Sequence, residues 1–112
     1  MRYFMIVLLL ALPASAQPEL GRQLFETHCQ MCHGEAGRGD GPAAGALAVA
    51  PRDLTRRPYK NGCGPGAIVR TLHTGFPTSG MPSFAETLSQ DELWALARYV
   101  RSLQGGCGCA GD

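Results

Sequence analysis

The sequence predicts an all-α domain in which three or four short helices are joined by long loops. Apolar residues recur at the spacing of one helix face in three stretches, and no stretch alternates apolar and polar residues as a half-buried strand would. The segments between these stretches hold most of the 15 glycines and 8 prolines. Because long loops are uncommon in a small domain, the pattern favours helices wrapped around something that fills the middle.

The first sixteen residues have the pattern of a secretory signal peptide. Arg2 supplies a positive charge, an apolar run of ten residues follows at 3–12, and a small-x-small cleavage signal ends at Ala16. Ten apolar residues are too few for a membrane-spanning helix, which needs roughly 20. We therefore expect cleavage after Ala16, export to the periplasm and no stable membrane insertion. The domain then spans 17–104, and a Gly- and Cys-rich tail covers 105–112.

The charge of the exported chain is balanced. The sequence has 10 Lys and Arg against 9 Asp and Glu, and removal of Arg2 leaves nine of each sign. A neutral chain does not bind nucleic acid or an anionic membrane surface through its net charge. Neither is expected as a partner.

The first helix is expected at residues 17–29, and the glycine-rich segment after it is expected to be an irregular loop with one helical turn at 43–48. Within 17–29 the apolar residues fall on one face of a helix. They are Leu20, Leu24 and Phe25.

A second helix is expected at 64–74. Pro65 suits a first helical turn, and Gly75 suits the position after a last one. The segment 76–84 contains further prolines and glycines, so its shape is expected to be set by turns rather than by backbone hydrogen bonds to another strand.

The third helix, at 89–103, has the strongest helical pattern in the chain. Ser89 and Glu92 have the spacing of a capping box. Apolar residues then recur at helical spacing through the whole segment. They are Leu93, Leu96, Ala97, Val100 and Leu103.

The first helix leads directly into a Cys-x-x-Cys-His sequence formed by Cys29, Cys32 and His33. Two thiols two residues apart can reach one porphyrin edge, and the imidazole that follows can bind the iron. Zinc sites and dithiol redox centres also use Cys-x-x-Cys, so this motif alone leaves those chemistries open. The rest of the chain must distinguish them.

Further short motifs accompany the cysteines in a fixed order and spacing. They are Gly21 and Phe25, Gly34 after the histidine, Gly39-Asp40-Gly41-Pro42, Pro51-Arg52-Asp53-Leu54-Thr55, Gly75-Phe76-Pro77, Gly80-Met81-Pro82-Ser83-Phe84 and Tyr99. With these motifs the sequence resembles the class I c-type cytochromes of the bacterial periplasm over nearly all of residues 21–103. The resemblance implies the cytochrome c fold around one covalently bound haem c.

The resemblance also implies roles for individual residues. Cys29 and Cys32 would form the thioether bonds, and His33 would bind the iron on one side. Pro42 would offer its carbonyl to the other nitrogen of that imidazole, and Met81 would be the second axial ligand. Arg52 is the residue implied as a partner of a haem propionate.

Three cysteines remain outside the haem motif: Cys63, Cys107 and Cys109. In an oxidising compartment two of them are expected to pair. The fold implied by the resemblance would bring the start of the second predicted helix near the chain end, which favours a Cys63 bridge to Cys107 or to Cys109. The leftover thiol leaves open whether the protein is the expected monomer or a dimer.

Other residues have simpler interpretations. His28 and His73 are expected to be solvated polar residues, with His73 a substitute ligand only if Met81 leaves the iron. Trp94 and Tyr99 are expected in the core. Met31, between the cysteines, is expected to point outward.

These observations predict a one-electron carrier that docks transiently with periplasmic redox proteins and is not an enzyme, because two axial ligands leave the iron no open site. A haem-based sensor with a labile Met81, and a small subunit of a larger oxidase or dehydrogenase, are the alternatives. A further alternative discards haem and binds zinc through Cys29, Cys32, Cys107 and Cys109.

Overall fold

The computed structural model describes residues 16–56 and 59–104. These ranges contain four α-helices and two 3-10 turns. The predicted signal peptide and the C-terminal tail lie outside the described residues, except for Ala16. The helices are α1 (Ala16–His28), α2 (Gln30–His33), α3 (Pro65–Thr74) and α4 (Gln90–Ser102), and the 3-10 turns are Ala44–Ala46 and Pro77–Ser79.

The all-α prediction is confirmed. In the described part of the chain the β structure amounts to one isolated bridge, between Phe76 and Met81. The predicted helices at 17–29, 64–74 and 89–103 match α1, α3 and α4 to within one residue at either end. The short helix α2 was not predicted as a separate element, because a Cys-x-x-Cys motif one helical turn long carries no periodic signal of its own.

The ends of the predicted helices are fixed by the residues that the sequence indicated. The Ser89 hydroxyl accepts a hydrogen bond from the Glu92 amide, and the Glu92 carboxylate accepts one from the Ser89 amide, so the capping box is complete. Pro65 occupies the first turn of α3, and Gly75 ends that helix with a φ of 64°.

The domain is organised by the crossing of α1 and α4. Gly21 sits at the crossing point, where a Cβ atom would lie 2.4 Å from the Ala95 carbonyl oxygen and 2.8 Å from the Tyr99 Cβ. Beside it the rings of Phe25 and Tyr99 have centroids 5.3 Å apart. A glycine is therefore required for the two helices to approach this closely.

The core extends from this crossing across the inner faces of α3 and α4. Phe25, Leu93 and Leu96 are fully buried. The prediction that Trp94 is a core aromatic is wrong, because its position on α4 faces solvent and its ring packs beside the Arg98 guanidinium. Other buried members of the core are Leu24, Ile68, Val69, Leu72, Phe84, Leu88, Ala97 and Val100.

None of the helices within the described ranges is both long enough and apolar enough to cross a membrane.

Candidate cofactor site

A cavity of about 320 Å³ lies between the Cys-x-x-Cys-His segment, α3 and the loop that carries Met81. Most of its wall is apolar. The lining residues from the helices and from the Cys-x-x-Cys-His segment are Phe25, His28, Cys29, Cys32, His33, Ile68, Thr71, Leu72 and Val100. The loops contribute Leu47, Val49, Ala50, Pro51, Arg52, Leu54, Tyr59, Lys60, Asn61, Gly62, Phe76, Ser79, Gly80, Met81, Pro82 and Phe84.

The two cysteines of the motif reach this cavity as free thiols. Helix α1 ends at His28, and the hydrogen bond from the Cys29 amide to the Phe25 carbonyl, 2.9 Å, carries the turn of α1 into the motif. Burial of Cys29, with the neighbouring Cys32 adding to it, raises the pKa of the Cys29 thiol to about 12. This thiol therefore stays protonated at neutral pH. Because both cysteines are free and line the cavity, both sulfurs can bond to a group that occupies it.

The loop that follows the Cys-x-x-Cys-His motif holds the backbone of the motif in place. The Gly39 amide donates to the His33 carbonyl at 2.7 Å, the Gly41 amide to the Cys32 carbonyl at 3.0 Å, and the Ala43 amide to the Met31 carbonyl at 2.9 Å. A Cβ on Gly41 would lie 2.3 Å from the Met31 carbonyl oxygen, so only glycine permits this contact.

The imidazole of His33 is fixed by the Pro51-to-Thr55 segment. Its Nδ1 lies 3.0 Å from the carbonyl oxygen of Arg52. Burial lowers the pKa of His33, and the hydrogen bond to the Arg52 carbonyl acts in the opposite direction. With Nδ1 engaged in this way, Nε2 is the ring nitrogen left for a metal.

The expectation that Pro42 supplies the acceptor for His33 is wrong, because that position is taken by the Arg52 carbonyl. Pro42 lies between Gly41 and Ala43, whose amides are bound to the motif backbone, and the Pro42 residue itself is exposed. The loop therefore supports the backbone of the motif, whereas the segment at Arg52 supports the ring.

Met81 also lines the cavity and lies on a closed loop. The Phe76 amide donates to the Met81 carbonyl at 2.9 Å, and the Met81 amide donates to the Phe76 carbonyl at 3.1 Å. The 3-10 turn Pro77–Ser79 and Gly80, with a φ of 92°, complete the loop. Turns therefore shape this segment, as expected, and the Phe76–Met81 pair of hydrogen bonds also fixes the position of Met81.

The same loop is anchored to the end of α3. The Ser83 hydroxyl donates to the His73 carbonyl at 2.5 Å, and the Phe84 amide donates to the Leu72 carbonyl at 2.9 Å. A Cβ on Gly75 would lie 2.5 Å from the Pro82 carbonyl oxygen, so the loop passes directly over the glycine that ends α3.

Sequence reasoning misplaced one histidine and correctly placed two other residues. His28 lines the cavity and stacks edge-on against Phe84, with ring centroids 5.8 Å apart, so the expectation that it is only a solvated residue is wrong. Its position at the last residue of α1, four residues after the buried Leu24, was the signal that could have shown this. His73 and Met31 are exposed, as expected.

The remaining predicted positions are only partly described. Arg52 lines the cavity. Cys63 is buried and disulfide-bonded. Cys107 and Cys109 lie outside the described residues, so the choice between them as its partner stays a prediction.

The residues around the cavity fit a covalently bound haem. An apolar wall suits a porphyrin, two free thiols stand at one edge, and an imidazole and a thioether line the same space. Within residues 16–56 and 59–104 no three His, Cys, Asp or Glu side chains are grouped so that they could hold a metal ion by themselves. The iron of a haem needs no such group, because the porphyrin already supplies four nitrogen ligands.

Comparison with known proteins decides the family. The model of the family described as "Cytochrome C oxidase, cbb3-type, subunit III" matches residues 16–100. Cytochrome c6 of Tetradesmus obliquus is 31% identical over 97 residues, which cover 82% of this chain and 97% of that protein. The chain belongs to the class I c-type cytochromes. The resemblance seen in the sequence is thereby confirmed, as are the cytochrome c fold and the cofactor, one covalently bound haem c.

This cytochrome also resembles parts of larger proteins. The cbb3-type cytochrome c oxidase subunit FixP of Bradyrhizobium diazoefficiens is 31% identical over 86 residues, which are 77% of this chain and 27% of that protein. The structure is similar to a chain of the Kuenenia stuttgartiensis reducing HAO-like protein complex Kustc0457/Kustc0458, with a TM-score of 0.75 and 36% identity, covering 83% of this chain and 46% of that one. The chain thus spans about a quarter of the length of the oxidase subunits that it matches.

Two consequences follow from the family. The zinc interpretation is wrong, because the cofactor is haem. The domain is an electron-transfer domain, as c-type cytochrome domains are.

Proposed function

We propose that this cytochrome is a periplasmic one-electron carrier, with Cys29 and Cys32 bonded to the haem and His33 and Met81 as axial ligands. The observation that supports it most directly is that these four side chains line one cavity although Met81 is far from the motif in sequence. The signal-peptide pattern at 1–16 supports export.

Each side chain has a distinct part in holding the cofactor. Cys29 and Cys32 tether the porphyrin edge, so the haem stays attached even when the iron ligands exchange. His33, oriented by the Arg52 carbonyl, presents Nε2 to the iron. The bound iron supplies a one-electron change between its ferric and ferrous states, and a methionine ligand favours the ferrous state relative to a second histidine.

The cavity wall and the axial ligands are proposed to limit the access of water and of substrates to the iron. Apolar residues of the wall, among them Leu54, Ile68 and Phe84, would limit the access of water to the bound group. With both axial positions filled, the protein offers a path for an electron and no site for a substrate. Arg52, at the rim, is the proposed partner of a propionate.

The partners are proposed to be other redox proteins that dock briefly. Redox encounters bury small areas, and a chain with equal numbers of acidic and basic residues after signal cleavage is steered only weakly by its net charge. The similarity to FixP supports a second candidate, in which the domain is a small subunit of a larger oxidase or dehydrogenase.

An optical spectrum of the exported protein tests the proposal. The full chain, produced in cells that attach haem c, is purified from the periplasm and measured oxidised and reduced, with a pyridine haemochrome assay on the same sample. We expect one covalent, low-spin haem with the far-red methionine-to-iron band. A high-spin spectrum would support the ligand-binding alternative instead, and recovery only from the cytoplasm would contradict the proposed location.

Fractionation separates the two electron-transfer candidates. A free carrier elutes at the size of a single domain from periplasmic extract without detergent. Co-purification with a haem-containing oxidase from detergent extract would favour the subunit role.

A further inference from the structure

The orientation of His33 depends on one backbone carbonyl. The Nδ1 of His33 lies 3.0 Å from the carbonyl oxygen of Arg52. An imidazole that donates a hydrogen bond from one nitrogen is a more basic ligand at the other nitrogen. A more basic ligand stabilises the ferric ion relative to the ferrous ion. Because the acceptor is a main-chain atom, its position is set by the residues around Arg52 and not by the arginine side chain.

The chain turns sharply directly after this carbonyl. Asp53 Oδ1 accepts two hydrogen bonds from Thr55, one from its amide at 2.9 Å and one from its hydroxyl at 2.6 Å. The other oxygen of the same carboxylate lies 3.3 Å from Arg56 Nε. The Asp53 side chain thus locks the two peptide units that follow Arg52.

The same segment is held against the rest of the cavity wall. The Leu54 amide donates to the Gly37 carbonyl at 2.6 Å, and the Tyr59 hydroxyl donates to the Leu54 carbonyl at 2.5 Å. On the preceding residue, the Pro51 carbonyl oxygen lies 2.6 Å from where a Cβ on Gly39 would be. These contacts locate the turn, and the Asp53–Thr55 pair sets its internal geometry.

We propose that Asp53 and Thr55 are positioning residues for the proximal histidine. Their turn aims the Arg52 carbonyl at His33 Nδ1 and so lowers the reduction potential of the haem. The inference rests on the proposed function, in which His33 binds the iron. It assigns to two residues that do not touch the imidazole a part in setting the potential.

Thr55→Val on the haem-loaded full chain is the decisive variant. Valine has nearly the volume of threonine and carries no charge, so it deletes one hydrogen bond to Asp53 and leaves the formal charge of the segment unchanged. With the Arg52 carbonyl less fixed, we expect the ratio of ferric to ferrous protein at a given applied potential to fall about threefold. At 59 mV per tenfold change for one electron, this corresponds to a rise of about 28 mV in the reduction potential. Thr55→Ser, which restores the hydroxyl, is expected to return the potential to that of the parent.

A second readout follows the hydrogen bond itself. In the reduced, diamagnetic protein, the Nδ1 proton of His33 is followed by nuclear magnetic resonance, and we expect its exchange with solvent to be several-fold faster in Thr55→Val. Thr74→Val is the matched control, because its hydroxyl donates to the Arg70 carbonyl at the end of α3. That variant is expected to keep the parent potential and exchange rate.

The outcomes separate this inference from the proposed function. Absence of a low-spin haem in the unmodified protein contradicts the proposed function. A normal parent spectrum with unchanged potential and exchange in Thr55→Val contradicts the positioning role, even if the variant unfolds more easily. Thr55→Ala deletes the same hydroxyl with a smaller side chain and gives the same test if the valine variant does not fold.

Discussion

Phe76 and Met81 exchange two backbone hydrogen bonds, of 2.9 and 3.1 Å, and so close the loop that brings Met81 to the cavity. Gly80 lies inside this loop in the left-handed region, with a φ of 92°. Most L residues avoid that conformation, and a Cβ there would also lie 3.0 Å from Leu47 Cδ2. The geometry of the loop, and with it the proposed bond from Met81 to iron, therefore depends on a glycine at position 80.

Gly80→Ala is expected to weaken the Met81 loop selectively. The left-handed backbone should cost the variant about 1–2 kcal/mol, which is released when the loop opens. In a denaturant titration the methionine-to-iron band should disappear at lower denaturant than in the parent, while the haem stays covalently attached. Gly45→Ala is the control, because a Cβ at Gly45 meets nothing within 4 Å. Disappearance of the band at the same denaturant concentration in Gly80→Ala as in the parent would contradict the prediction.

Gly21→Ala is expected to destabilise the whole domain. The new Cβ would lie 2.4 Å from the Ala95 carbonyl oxygen, so α1 and α4 must move apart. Overpacking of this kind typically lowers the free energy of unfolding by about 1–3 kcal/mol. Chemical unfolding followed by circular dichroism measures the change.

The control for this prediction is another helical glycine. A Cβ on Gly66, in α3, would make only an ordinary contact of 3.7 Å with Trp94. Replacing a helical glycine by alanine stabilises a helix by roughly 0.5–1 kcal/mol when space allows. Gly66→Ala should therefore be neutral or stabilising, and equal losses in the two variants would show that the crossing is not the cause.

The Tyr59 hydroxyl is expected to make the stability of the domain depend on pH in the alkaline range. Burial raises the pKa of Tyr59 above its ordinary value of 10.0. When the pH rises through about 10, the unfolded chain loses this proton first, so the folded state loses stability between the two pKa values. Below that range the contribution of Tyr59 is fully present.

Tyr59→Phe should remove this part of the pH dependence. It should also lower the free energy of unfolding near neutral pH by about 1 kcal/mol, because the hydrogen bond to the Leu54 carbonyl is lost. Urea unfolding across an alkaline pH series measures both effects. Tyr99→Phe, the same chemical change elsewhere in the domain, is the control. An unchanged alkaline slope in Tyr59→Phe would contradict the assignment.

The sequence predicted the elements whose signals are local. The bounds of α1, α3 and α4 followed from periodic apolar residues and from end signals such as Ser89, Glu92 and Gly75. The haem motif could be recognised for the same reason, because Cys29, Cys32 and His33 lie within five residues of the chain. Such patterns need no knowledge of the rest of the fold.

The errors concern contacts and orientations that no local sequence pattern encodes. The acceptor for His33 comes from position 52 and not from Pro42, and nothing near either residue shows which carbonyl the fold brings to the ring. Trp94 was predicted in the core as an aromatic residue at helical spacing from Tyr99, although its register on α4 turns it outward. The Phe76–Met81 bridge was not predicted, although the two residues are only five positions apart, because two hydrogen bonds within an irregular loop have no sequence period.

Met81→Ala is expected to abolish the methionine-to-iron bond without releasing the haem. The thioether lies at the cavity wall on a loop of its own, whereas the proposed covalent attachment depends on Cys29 and Cys32. The far-red band should vanish from the oxidised spectrum, and the reduction potential should fall, since the ligand that favours ferrous iron is gone. Met31→Ala is the matched control, because Met31 is 62% exposed and does not line the cavity. A parent-like spectrum in Met81→Ala would exclude Met81 as the ligand. Loss of the band in Met31→Ala would contradict the expectation that the band depends specifically on Met81.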